Sequence, residues 1–223
     1  MLPVSPVRTL ADVLLHDNPR SSNAQKVRFL LAELGLPYER REVPFGTSRP
    51  AWHLAVNPVG GIPALVDGEL RLAESNAILR YLAGREGRDD LYPAAPAERA
   101  RVDWLLDATG MTLRPLLREV DAAAFGWRPR RGVGAEAPDP AEAAAVLERI
   151  APALADYAAL LDDATPWAAL GRFTLADAAA APFLHRLRRS GLGLEGHAPR
   201  LAAWGEAVCT RPAWQPVAAE AGV

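Results

Sequence analysis

A single cysteine, Cys209, stands among 223 residues, which excludes an internal disulfide framework and any Cys-x-x-Cys redox pair. Lysine is as scarce: Lys26 is alone against 24 arginines. The four histidines, His16, His53, His185 and His197, lack HExxH or comparable ligand spacing, so no metal site of the usual kind is expected. No GxSxG elbow and no Walker-type phosphate loop is present. No apolar run approaches the roughly 18–20 residues that span a bilayer. The N-terminal stretch MLPVSPVRTLADVLL has no charged start, long apolar segment or small-residue cleavage site. A net charge of −2, with both signs mixed along the chain, leaves no electrostatic footprint for nucleic acid or an anionic membrane. These absences describe a soluble, cytoplasmic protein.

What is abundant is alanine, 44 residues of it, within a chain that is 50% hydrophobic and 23% charged. That composition favours helix and a packed core. The pattern changes near residue 90. Before it, Val13–His16 reads as a buried strand. Val27, Leu30, Leu31 and Leu34 then recur at i, i+3, i+4 and i+7 in a helix over 22–35, closed by Gly35 and Pro37. Tyr38–Val43 is a weaker strand, and strand–helix–strand implies a parallel crossover. Ala64–Asp67 and Glu69–Ala73 flank an Asp67-Gly68 turn, a strong hairpin signal. A helix from Ser75 to about Ala83 ends this half, with a possible short helix near 50–55.

The stretch 84–98, rich in Gly, Pro and charge, reads as a linker, and everything beyond it as helix. In 97–125 one stripe runs through Val102, Leu105, Leu106, Thr109, Leu113, Leu116, Leu117 and Val120, with a kink expected at Pro115. The pattern returns over 141–163. The intervening loop carries Arg128, Arg130 and Arg131, read as solvated. Thr174 and Asp177 open a further helix as a capping box, with Phe173 as its staple. The fold expected is a small α/β domain followed by an all-helical one. Residues 191–196, GLGLEG, match GxGxxG literally, but a dinucleotide loop must follow a strand. This one follows a helix, so Gly191 reads as a C-cap.

Three segments are candidates for chemistry. Ser21-Ser22-Asn23 lies at a helix N-terminus, where free N–H groups and the dipole suit a thiolate or another anion; the alternative is that Ser21 or Ser22 is simply the N-cap. Ile62-Pro63 opens a strand, and its isomer is not legible from sequence. Glu74-Ser75-Asn76 begins another helix, either with Ser75 as N-cap or as an acceptor and donor set for an amino acid's ammonium and carboxylate.

The order Ser21…Lys26-Val27-Arg28, NPVGGIPAL (57–65), ESNAILRYL (74–82) and then FTLAD (173–177) resembles the glutathione transferase superfamily, in the manner of bacterial serine-type, theta- or phi-like members. The resemblance spans about residues 13 to 215. It implies a thioredoxin-like glutathione-binding domain over 11–86 and an all-helical C-terminal domain over 97–220. It also implies a homodimer, glutathione as co-substrate, no metal, and a small hydrophobic electrophile as partner. By the same resemblance Ser21 activates the glutathione sulfur, with Asn23 as the alternative some bacterial relatives use. Ile62, before a cis Pro63, pairs with the cysteinyl part. Glu74 and Ser75 hold the γ-glutamyl end, and Arg49 the glycyl carboxylate. Trp104, Asp107, Met111 and Arg114 share a helix face that relatives use for the electrophile. No tyrosine follows the first strand and no cysteine lies in the first half, so the serine type remains. Gly61 stands where many members carry Gln or Lys. Conjugation is the leading activity. A glutathione-dependent reductase or peroxidase and a non-catalytic binding member stay open.

Overall fold

The computed structural model describes residues 13–45, 48–126 and 139–221. Arg128, Arg130 and Arg131 of the expected loop lie outside them. The first half runs β1 (Val13–Asp17), α1 (Ser22–Glu33), β2 (Glu39–Glu42), α2 (Ala51–Leu54), β3 (Ala64–Asp67), β4 (Leu70–Ala73) and α3 (Ser75–Arg85). The sheet order is β2-β1-β3-β4, with β1 and β2 parallel and the other two pairings antiparallel. This is the thioredoxin-like arrangement. Strand β2 is fully exposed along its ERRE sequence, a charged edge of the kind that resists further strand pairing.

The hairpin turn falls one residue later than the sequence suggests. Asp67 pairs with Leu70, so Gly68-Glu69 forms the turn, with Gly68 at φ +58°. Asp67 is drawn into the strand because its buried carboxylate accepts from Tyr81 Oη (2.5 Å) and Arg85 Nη1 (2.8 Å) on α3.

The second half is helical: α4 (Pro96–Ala108), a π-helical turn Thr109–Leu113, α5 (Arg114–Phe125), α6 (Pro140–Ala158), α7 (Leu175–Arg189), α8 (Pro199–Cys209) and α9 (Gln215–Ala219). The expected kink at Pro115 is this π turn. Pro115 has no N–H to donate to the preceding turn, and the helix widens just before it to i→i+5 spacing. Gly191, at φ +70°, follows the C-cap of α7, and GLGLEG lies among helices.

One apolar core spans both halves, from Val27, Leu30 and Leu31 of α1 to Leu175, Ala178 and Leu184 of α7. Phe173 directly precedes the Thr174 cap and shares the core with Ala178 of α7. Its ring packs edge-on against Phe29 and Trp167, both at 5.6 Å. The capping box is formed as the sequence indicates. The wholly buried Asp177 carboxylate accepts from Ala168 N (2.8 Å), Thr174 N (2.8 Å), Thr174 Oγ1 (3.2 Å) and Trp204 Nε1 (2.7 Å). Burial pushes its pKa up to about 6 against these donors.

Asp177→Ala strands those donors in the core, and each buried unpaired donor costs about 1–3 kcal/mol. The expected outcome is a loss of about 3–5 kcal/mol in urea unfolding. Asp177→Asn, which keeps one acceptor oxygen, loses less. Equal losses would mean that volume rather than hydrogen bonding sets the effect.

Candidate active site

A cleft of about 270 Å³ opens between the two halves. Ser21, Ser22 and Asn23, with Phe45, Arg49 and the Gly61-Ile62 edge, form one wall. Arg114, Arg118, Asp121 and Phe183 form the other.

Ser21 is the N-cap of α1, its Oγ accepting from Ala24 N at 3.4 Å. Capping and chemistry are compatible here, because accepting that bond leaves the single O–H donor free. The first N–H groups of α1 and the positive end of its dipole lie at the same wall, and no acidic residue occupies the first turn. Among the described residues, no side-chain hydrogen bond engages Ser22 or Asn23.

The Ile62–Pro63 bond is cis. Ile62 packs with Ala24 and Val43, backed by Phe45 and Trp52. Arg49 holds the adjoining loop: Nε donates to Gly60 O (2.9 Å) and Nη1 to Pro44 O (2.7 Å). Gly60 sits at φ +74°, where a Cβ would come within 3.0 Å of Arg49 Cγ. The positive φ favours glycine there, and a side chain would also press on Arg49.

Glu74, not Ser75, is the N-cap of α3, and it has φ +66°. Ser75 is the first helical residue and is buried. A non-glycine residue in the left-handed region is strained, and this one lies between β4 and a helix N-terminus. Neither Glu74, Ser75 nor Pro63 lines the cleft itself. Buried Lys26 lies one turn into α1, its Nζ donating to Asn76 Oδ1 at 3.0 Å. Burial, with repulsion from Arg114, lowers its pKa to about 7.

Of the four residues expected on the electrophile face, Arg114 lines the cleft and the other three do not. Trp104 is 52% exposed under the Arg101 guanidinium, Met111 is 82% exposed, and Asp107 turns toward Arg80 at 3.6 Å. The spacing i, i+4, i+7 assumes an unbroken α-helix. The π turn at Thr109–Leu113 shifts the phase, so Arg114 leaves the face of Asp107. Arg118 and Asp121, one and two turns further along, take the places the sequence assigns to the others. Asp121 is paired with Arg186 Nη1 at 3.3 Å. Arg186 Nη2 also donates to Arg20 O at 2.8 Å, tying α7 to the residue before Ser21. Cys209 is far from this chemistry: burial pushes its pKa up to about 12.

A histidine pair lies behind the Gly61-Ile62 edge. His53 Nε2 is 3.0 Å from Gly61 O, which Asn57 Nδ2 also reaches at 2.8 Å. A carbonyl only accepts, so His53 carries its proton on Nε2. In the neutral pair its Nδ1 then accepts from His16 Nδ1, at 3.1 Å. Burial, with the neighbouring His53 and Arg41, lowers the His16 pKa to about 4. Single-residue spacing carries no sign of this pair, because its members are 37 residues apart.

A histidine whose folded pKa is depressed contributes stability that is fully present above about pH 6.5 and is lost as pH falls toward 4. Half-buried His185, its pKa also lowered to about 4 by burial and then by neighbouring arginines, adds the same sign. Urea unfolding is therefore expected to show a drop in stability between pH 7 and 4.5 that is shallower in His16→Asn. An unchanged slope would locate the titration elsewhere.

Among the described residues, no group of three or more His, Cys, Asp and Glu is placed to hold a metal ion, and no helix is long and apolar enough to cross a membrane. Residues 11–84 match the glutathione S-transferase N-terminal domain model, and residues 140–207 match the C-terminal domain model. The chain is 35% identical to glutathione S-transferase 3 of Zea mays, over 92% of this chain and 93% of that protein. It is 34% identical to glutathione S-transferase GstB of Escherichia coli K12, over 90% and 95% respectively. It superposes with a TM-score of 0.76 on the theta class glutathione S-transferase of Xanthomonas axonopodis pv. citri, solved with glutathione bound. That pair is 32% identical over 93% of this chain and 97% of the other. With both domain models matched and relatives aligned along nearly the whole length, the chain belongs to the glutathione S-transferase family.

Proposed function

We propose that this protein is a glutathione transferase that joins the glutathione thiolate to a small electrophile, with Ser21 as the donor to the sulfur. The reading rests on one observation above the others: a capping hydroxyl with its proton free, at the dipole end of α1, lines a cleft beside the Ile62 edge. Residues 11–86 form the glutathione-binding domain and 97–220 the helical domain. The Ile62 backbone pairs with the cysteinyl part of the tripeptide, Arg49 takes the glycyl carboxylate, and Glu74 with Ser75 takes the γ-glutamyl end. Asn23 is the second donor within reach of the same wall. Gly61 has no side chain to offer, and its carbonyl is already occupied by His53 and Asn57, so binding at this edge falls to backbone groups. The same reading includes a homodimer, for which exposed Trp104 and Met111 offer apolar surface.

An ordinary thiol has a pKa near 8.5, so only a few per cent is thiolate at pH 7. Lowering that value by about two units requires about 2.7 kcal/mol of preference for the anion. A hydroxyl donor and a helix N-terminus supply roughly 1–2 kcal/mol each in a partly buried site. The thiolate lone pair then forms the S–C bond while the leaving group departs with the electrons of the bond that breaks.

Ser21→Ala is expected to lower kcat/KM about tenfold at pH 7 and far less at pH 9, where the thiol ionises unaided. Calorimetry in buffers of different ionisation enthalpy reads the same effect as proton release on glutathione binding, present in wild type and reduced in the variant. The lost cap costs about 1 kcal/mol of stability, measured separately by unfolding. An equal loss of rate at both pH values would exclude the donor role. Oxidised glutathione in place of a conjugate would mark a reductase.

A further inference from the structure

The acceptor wall of the cleft departs from the apolar surface that a hydrophobic electrophile calls for. Arg114 and Arg118 stand one turn apart on α5, and both line the cleft. Among the described residues neither has an ion pair or a side-chain hydrogen bond. Burial first, and then repulsion from Arg118, lowers the pKa of Arg114 against the attraction of Glu74. The carboxylate of this wall, Asp121, attracts Arg118 but does not neutralise both arginines. Asp121 is buried and already joined to Arg186, which is 1% exposed, so that pair contributes no net charge. Like charges at i and i+4 on a helix are destabilising, and two guanidiniums side by side form a set of fixed donors suited to a planar oxyanion. Phe183 on the same wall supplies an apolar surface beside them.

We propose that the electrophile carries an anionic group, a carboxylate, which Arg114 and Arg118 bind together while its reactive carbon faces Ser21. This deepens the transferase reading and rests on it. Two arginines attract and orient a carboxylate and repel a cation of the same shape, so they set specificity as well as affinity. With para-(chloromethyl)benzoate, for example, the thiolate sulfur bonds to the benzylic carbon. The C–Cl bond breaks and chloride leaves with its electron pair.

The test compares two stable product-like ligands by calorimetry: S-(para-carboxybenzyl)glutathione and its aryl methyl ester, which differ by one charge. Wild type is expected to bind the acid about tenfold more tightly than the ester, or better, as for a charge-assisted hydrogen bond. In Arg114→Gln/Arg118→Gln that ratio is expected to fall to near unity. Arg118→Gln alone, at an exposed position, lowers it in part and guards against misfolding of the double variant. An ester bound as tightly as the acid by wild type overturns the proposal, as does a ratio that survives in the double variant. So does an equal loss of affinity for unmodified glutathione, which would assign the arginines to the tripeptide. Failure of wild type to bind glutathione and both conjugates would instead overturn the transferase reading on which the proposal stands.

Discussion

The burial of α1 constrains everything else in this molecule. From Ser22 to Leu31 every residue except Asn23 is buried, including the polar Gln25, Lys26 and Arg28. The helix is held between the sheet with α3 on one side and α7 on the other, so it belongs to the cores of both halves. A helix fixed on all sides cannot tilt, and its N-terminus is the one end left facing the cleft. The exception is informative: Asn23 is the position of its first turn where the wall opens. Fixing donors before a ligand arrives spares reorganisation when charge develops, the usual source of electrostatic catalysis.

Polar ties hold the cleft open at a set width. Arg186 links Asp121 on α5, through its own helix α7, to the carbonyl of Arg20, so the two walls share a side chain. Arg211 grips Glu33 at the far end of α1 with two bonds of 2.6 and 2.7 Å. On the opposite edge, His16, His53 and Asn57 anchor the Gly61 carbonyl. These ties are buried or half-buried hydrogen bonds, and those of Arg186, Arg211 and the His16–His53 pair join elements distant in sequence. Their worth lies in direction rather than in large net energy.

That distinction also explains what the sequence makes legible. The buried strand, the α1 stripe and the Thr174–Asp177 cap are local patterns, written within a few neighbouring residues, and they appear where the patterns place them; the hairpin forms too, with its turn displaced. The turn at Gly68-Glu69 slips by one because Asp67 answers to Tyr81 and Arg85, residues of another element. Ser75 yields the cap to Glu74 because a positive φ is a property of the assembled junction. Trp104, Asp107 and Met111 fall away from the cleft because one π turn, prompted by Pro115, breaks the period that grouped them with Arg114. The histidine pair and the Asp121–Arg186 bond have no local signature at all. For the chemistry, the order of motifs carries more than any single one. Ser21, Ile62 and Arg49 are ordinary residues apart, yet the fold brings them to one cleft.

The electrostatics of the two walls are one problem, not two. A neutral hydroxyl and a helix dipole are a modest source of stabilisation for an anion. Opposite them stand Arg114 and Arg118, with Lys26 buried close behind and depressed to about 7. Crowding of these cations, of which Lys26 is buried and Arg114 half-buried, raises the free energy of the unliganded site, and any anion entering between the walls relieves it. A thiolate on the Ser21 side benefits from the cations on the α5 side even without touching them, since fields in a half-buried cleft are weakly screened. A carboxylate bound on the α5 side neutralises part of that field as it docks. Substrate charge and thiol ionisation are therefore coupled. An acceptor that is anionic gains affinity from the arginines and gives back a share of the thiolate's stabilisation, whereas a neutral acceptor forgoes the first and keeps the second.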